Sequence, residues 1–317
     1  MGLHIGVDVG GTKVLAAAVS GTGKILRTAR RSTPGRRVSA SLVEDALTEA
    51  VMEVARGSRV DGVGIAAAGF VDAEGERVMF APHLPWRGEE VRGRLAARWG
   101  TVVALDNDAN CAARAEHAHG AARGAQDAVI VTLGTGIGGA LVLDGRVHRG
   151  RNGMAGEFGH MQVVPDGRDC ECGGTGCWEQ YSSGNALVRH SRSRIGAEPT
   201  LLTGLCSGNP DLLVGSMVTA AAEQGDRVAS EAFDSVGDWL GVGLANLVAV
   251  FDPEVVVVGG GLSAAGDRLL DPARIALTRS LVGVGHRVVP EVRRAELGPE
   301  AGVVGAADLA RRAQALR

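Results

Sequence analysis

Between Gly153 and Gln180 the chain reads GMAGEFGHMQVVPDGRDCECGGTGCWEQ, and this stretch restricts the fold more than any other. His160, Cys170, Cys172 and Cys177 are separated by nine, one and four residues, which gathers one imidazole and three thiols into one loop. One His with three thiolates is a closed tetrahedral zinc set with no position left for a reactive water. The metal is therefore expected to build the loop and not to do chemistry. Five cysteines is an odd number, and three of them fall within eight residues, which suits a metal better than disulfides. A redox pair is the alternative. Cys111 and Cys206 stand alone and are expected as small core residues. Glu157 and Glu179 offer acceptors for paired hydroxyls, and a zinc-bound His160 would keep one ring N–H free to donate.

A chain of 317 residues is long for one core and comfortable for two domains. Its 48 glycines come in short runs without a repeat, so they mark special backbone sites and not low complexity. A net charge of −3 supplies no basic field for nucleic acid or an anionic membrane. No charged leader with an apolar core precedes the first strand-like run, and no apolar run approaches 18 residues. A cytoplasmic protein is the expectation.

Two short apolar runs, 3–8 and 13–19, joined by Val9-Gly10-Gly11-Thr12, predict a hairpin. Residues 39–56 carry a helical face with Ser39 as N-cap, and 63–68 read as a buried strand ending at Gly69. A helix over 88–99 and a strand over 101–105 follow, then Asp106-Asn107-Asp108 opens a helix to about His119. A strand over 128–133, the run Gly134-Thr135-Gly136-Ile137-Gly138-Gly139 and a strand over 140–143 repeat the opening unit about 124 positions later. Further on come a long helix over 226–250, a β-branched strand over 254–258 running into Gly259-Gly260-Gly261, and a closing helix over 301–316.

Several loops could carry chemistry. In Asp8-Val9-Gly10-Gly11-Thr12-Lys13 the glycines let backbone N–H groups approach a phosphate, Thr12 and Lys13 add donors, and Asp8 could hold Mg²⁺ through water. A plain hairpin turn is the other reading. No G-x-x-x-x-G-K-[ST] occurs, which excludes a Walker loop. Gly134-x-Gly136-x-x-Gly139 matches the dinucleotide fingerprint formally, yet a strand follows it where that fingerprint needs a helix. A second phosphate-cradling hairpin, through Gly134, Thr135, Gly136 and Gly138, fits better. Gly259, Gly260 and Gly261 could let a flat base lie close, or simply turn the chain. Asp106 and Asp108 lie two apart at a strand end; one could accept the proton of an attacking hydroxyl while the other is structural, and either could instead cap a helix.

Together these residues resemble the ROK (repressor, open reading frame, kinase) family of sugar kinases along essentially the whole chain. The most specific part is Gly156-Glu157-Phe158-Gly159-His160 followed by Cys170-x-Cys172-Gly-Gly-x-Gly-Cys177-x-Glu179. Two departures stand out: Ala140 where a further Gly is common, and Asp106 where Glu is more usual. The resemblance implies an α/β fold, the actin-like (ribonuclease H-like) ATPase duplication, with two lobes around a central cleft. The small lobe would be 1–107 completed by the helix 300–317, and the large lobe 108–299 with the zinc loop. It implies ATP-dependent phosphorylation of D-glucose to glucose 6-phosphate, with Asp108 as general base. Gly69, Asn107, Asp108, Glu157, His160 and Glu179 would hold the sugar, ATP and a catalytic Mg²⁺ would be needed, Zn²⁺ would be structural, and a homodimer or tetramer would be the habit.

The alternatives are another hexose (mannose, N-acetylmannosamine, fructose) or polyphosphate as donor. More remote are a sugar-responsive repressor, which needs a DNA-reading module ahead of Asp8, and a nicotinamide-dependent dehydrogenase resting on the glycine run alone.

Overall fold

Short β-branched and alanine-rich runs bury on both faces only as central strands, and the first two runs do so: Ile5, Val7, Val9, Val14, Ala16 and Ala18 are fully buried. In the computed structural model of the chain, which describes residues 2–316, these runs are β1 (Leu3–Val9) and β2 (Lys13–Val19). They form the expected antiparallel hairpin, closed by Gly10 N–H donating to the Lys13 carbonyl at 3.1 Å.

Then come β3 (Ile25–Ser32), α1 (Ala40–Ala55), β4 (Val60–Ala67), β5 (Phe70–Val71), β6 (Arg77–Phe80), β7 (Glu89–Glu90), α2 (Val91–Trp99), β8 (Val102–Asn107) and α3 (Asp108–His119). The next part holds β9 (Ala128–Leu133), β10 (Ile137–Leu143), β11 (Arg146–His148), α4 (Gly184–Arg192), α5 (Leu202–Leu205), α6 (Gly215–Glu223) and α7 (Arg227–Phe251). The chain closes with β12 (Val255–Gly259), α8 (Asp267–Ser280), β13 (Glu291–Arg294) and α9 (Ala301–Ala315).

Two five-stranded sheets share one layout. The first runs β3-β2-β1-β4-β8 and the second β11-β10-β9-β12-β13. In each, two strands pair in parallel on one side, β1 with β4 and β8, β9 with β12 and β13, and an antiparallel pair lies on the other. That is the internal repeat expected from the strand, glycine turn, strand units. The small sheet β5-β6-β7 was not legible, because strands of two and four residues carry too few positions for a period.

Contacts divide the chain into two compact units. The first comprises 1–126, 140–156 and 296–317, the second 127–139 and 157–295. In the first unit α9 lies directly on the sheet. A Cβ on Gly6 or Gly64 would stand 1.8 or 1.7 Å from the carbonyl oxygens of Val303 and Ala306, so only glycine permits the approach. Two local expectations need amendment. Ser39 occupies the N-cap of α1, but its hydroxyl pairs with Ser41 at 2.8 Å and caps nothing. The helix expected over 88–99 starts at Val91, because Glu89 and Glu90 pair with Val78 and Arg77. Among the described residues no helix is long and apolar enough to cross a membrane.

Candidate active site

In the first unit, strand ends carry the acidic residues. Asp8 lies near the end of β1, half-buried, and burial pushes its carboxyl up to about 6, helped by the charge of Asp108 and opposed by Lys13. Thr33 ties the hairpin turn in place, its hydroxyl donating to the Gly10 carbonyl at 2.7 Å and its N–H to the Thr12 carbonyl at 3.1 Å.

The two aspartates at the end of β8 separate cleanly. Asp106 is 1% exposed, accepts from Asn107 N–H at 2.9 Å and Asn110 Nδ2 at 3.0 Å, and pairs with Arg149 at 3.2 Å and Arg114 at 3.7 Å. It is spent on structure. Neither aspartate is the cap of α3: Asn107 is, its Oδ1 accepting from Ala109 and Asn110 at 2.8 and 3.2 Å while its Nδ2 donates to the Gly69 carbonyl at 3.1 Å. That leaves Asp108 in the first turn of α3. A helix N-terminus favours a carboxylate, and Asp108 does accept from Ala109 N–H at 2.9 Å. Burial outweighs this, so its carboxyl sits above the ordinary value. A carboxylate held upward is a better proton acceptor.

In the second unit, the ligand atoms of His160, Cys170, Cys172 and Cys177 all lie within 4.8 Å of one another. Cys172 and Cys177 sulfurs are 3.6 Å apart, and His160 Nδ1 is 3.7 Å from the Cys170 sulfur. Zinc bonds of about 2.0–2.3 Å in a tetrahedron place ligand atoms roughly 3.3–3.8 Å apart, so the residues fit the ion. Nδ1 is then the metal-facing nitrogen, and Nε2 is the one free for other work. Backbone bonds shape the loop: Cys170 N–H to Gly174 O at 2.9 Å, Gly173 N–H to Cys170 O at 3.0 Å and Gly176 N–H to Arg168 O at 2.7 Å. Trp178, fully buried, anchors it to α7 by donating to the Trp239 carbonyl at 2.7 Å.

Glu179 links this loop to the second glycine turn, a connection that sequence spacing did not reveal. Its Oε1 is 3.3 Å from the Cys170 sulfur and its Oε2 accepts from Ile137 N–H at 3.4 Å. A Cβ on Gly136 would meet Oε2 at 2.3 Å, so that glycine makes room for the carboxylate. Glu157 lies at the start of the short helical turn that carries His160.

Gly134, Thr135 and Gly261 line a cleft of about 840 Å³ with apolar walls from Val188, Leu213 and Leu262. The turn at Gly134 is fixed by Gly134 N–H to Gly136 O at 3.0 Å and Gly184 N–H to Gly134 O at 2.8 Å. Gly260 has φ +81. Sequence reading found the glycines but missed the walls, because Leu213 and the face of α6 look like ordinary helix packing.

The family model described as ROK family matches residues 4–313. A glucokinase of Streptomyces coelicolor is 45% identical over 314 residues, 98% of both chains. A glucokinase of Thermotoga maritima is 37% identical over 310 residues, 96% of each. Among solved structures, a ROK family glucokinase from Streptomyces griseus in complex with glucose and AMPPNP is 46% identical, with a TM-score of 0.88 over 98% of this chain and 100% of that one.

Proposed function

The chain belongs to the ROK family and has its actin-like ATPase fold, and from that premise we propose that it is an ATP-dependent glucokinase that converts D-glucose to glucose 6-phosphate. The observation that carries the reading is the full-length likeness, at 46% identity, to a glucokinase held with glucose and an ATP analogue.

This chain's residues supply what the reaction needs. A sugar hydroxyl is a poor nucleophile until its proton has somewhere to go, and Asp108 accepts it. Gly69, Asn107, Glu157, His160 and Glu179 bind sugar hydroxyls: carboxylates accept paired O–H donors, and His160 donates through Nε2 while Nδ1 faces the metal. The Gly10–Lys13 turn and the run of Gly134, Thr135, Gly136 and Gly138 present backbone N–H groups to the phosphates, and Gly259, Gly260 and Gly261 make room for the base. Asp8 would hold Mg²⁺ through water, and the ion would offset phosphate charge. Zinc on His160, Cys170, Cys172 and Cys177 fastens the loop and takes no part in the transfer. A two-lobe division at 1–107 with 300–317 and 108–299, a cytoplasmic location and a homodimer or tetramer, with no nucleic-acid or membrane partner, complete the reading.

Asp108→Asn tests it. The variant is expected to lose roughly 10²–10⁴-fold in kcat while calorimetry still reads glucose binding. Near-full turnover would remove Asp108 from the role of base.

A further inference from the structure

The second unit carries another cavity, of about 390 Å³, that the kinase reading does not use. Arg168, Arg189 and His190 contribute cationic or donor groups to its lining, and Tyr181 and Trp239 form an aromatic wall with ring centroids 4.8 Å apart. Among the described residues neither guanidinium has a carboxylate partner: Arg189 donates to the Gln180 carbonyl, and Arg168 takes part through its backbone alone. The Arg189 guanidinium is held below its ordinary range by burial and then by the like charge of Arg168. His190 Nε2 is buried with no hydrogen-bond partner. Glu231, the nearest acidic influence on His190, is already engaged by Arg194 and Arg227.

A buried polar atom left without a partner, as His190 Nε2 is, is costly, and the two guanidiniums beside it carry no counter-charge. Guanidinium forks match phosphate oxygens, and a dianion answers two such charges where one carboxylate does not. The aromatic wall gives an organic group somewhere to lie. We propose that this cavity is a binding site for a phosphate monoester, gripped by Arg168 and Arg189 with its organic part against Tyr181 and Trp239. Its floor belongs to the zinc loop: Arg168 N–H donates to the Tyr181 hydroxyl at 2.9 Å, and Tyr181 follows Glu179 by two residues. An occupant therefore braces the segment that carries Glu179.

The test uses the full zinc-loaded chain without sugar or nucleotide, so its outcome is independent of the kinase reading. Inorganic phosphate and phenyl phosphate are titrated while the melting midpoint and calorimetric heat are followed. At about tenfold excess over Kd the midpoint is expected to rise by about 2–4 °C, with phenyl phosphate binding several-fold tighter than inorganic phosphate. Arg168→Gln and Arg189→Met should each abolish the response, Arg168→Gln with its phosphate-free melting midpoint unchanged. Arg168 is exposed and its side chain bonds to no described residue, so its variant remains informative if the Arg189 variant fails to fold. An undiminished response in the variants would place the phosphate on the nucleotide loops and overturn the proposal. So would the absence of a saturable response, or equal affinity for the two probes.

Discussion

At the residue scale, two carboxylates of the first unit are tuned in one direction by burial, and this has a pH signature. Asp8 rises from an ordinary value of 3.8 to about 6. Between those values the folded chain holds more protons than the unfolded one, so the contribution of Asp8 to stability is full below pH 3.8 and is lost as pH rises through about 6. A divalent cation needs the ionised form, so its binding runs the other way. Calorimetric titration with MgATP should show affinity falling about tenfold per pH unit below about 6, where one proton competes with the cation. Affinity unchanged between pH 5 and 7 would separate Asp8 from the metal. Residue identity was the most legible level. Type and spacing point to Asp8, Glu157, His160, Glu179 and the pair Asp106 and Asp108, and the choice of Asp108 within that pair rests on the family resemblance. What spacing could not reveal was which of Asp106, Asn107 and Asp108 does what, since that depends on Arg114 and Arg149, distant in sequence and close in space.

At the element scale, the zinc loop is the least able to stand alone. Its segment from Met161 to Thr175 contains no strand or helix, and isolated bridges such as Asp169 to Thr175, with a few turn hydrogen bonds, tie it. Four bonds to a zinc ion would supply what packing does not, since closed zinc sites contribute roughly 10 kcal/mol or more to folding. Cys172→Ser is expected to lose the zinc and to raise the glucose KM at least about tenfold, because Glu179 sits against Cys170 and His160 shares both tasks. Elemental analysis with steady-state kinetics checks this; a zinc-free variant with an unchanged KM would show that the metal does not hold the sugar loop. The grouping of His160, Cys170, Cys172 and Cys177 was legible because one imidazole and three thiols fall at short spacing in one loop. The orientation of His160, Nδ1 toward the cluster, was not, because ring orientation depends on how the short turn at Phe158–His160 is set.

At the scale of the whole molecule, the repeat glimpsed between the glycine turns near residues 10 and 134 is realised as two sheets of one layout. Strands of seven and six residues ending in glycine turns announce themselves through their length and β-branched content. The compact units interleave along the chain, with 140–156 and 296–317 returning to the first. No local signal marks such a return, because it is decided by which sheet a segment completes. Function at this scale is phosphoryl transfer from ATP to glucose. The most direct measurement is a coupled ADP-release assay across glucose, mannose, N-acetylmannosamine and fructose, repeated with polyphosphate as donor and glucose 6-phosphate formation as readout. Glucose with ATP is expected to give the highest kcat/KM, of the order of 10⁴ M⁻¹s⁻¹ or more. Turnover confined to another hexose, to polyphosphate, or to no sugar at all would contradict it.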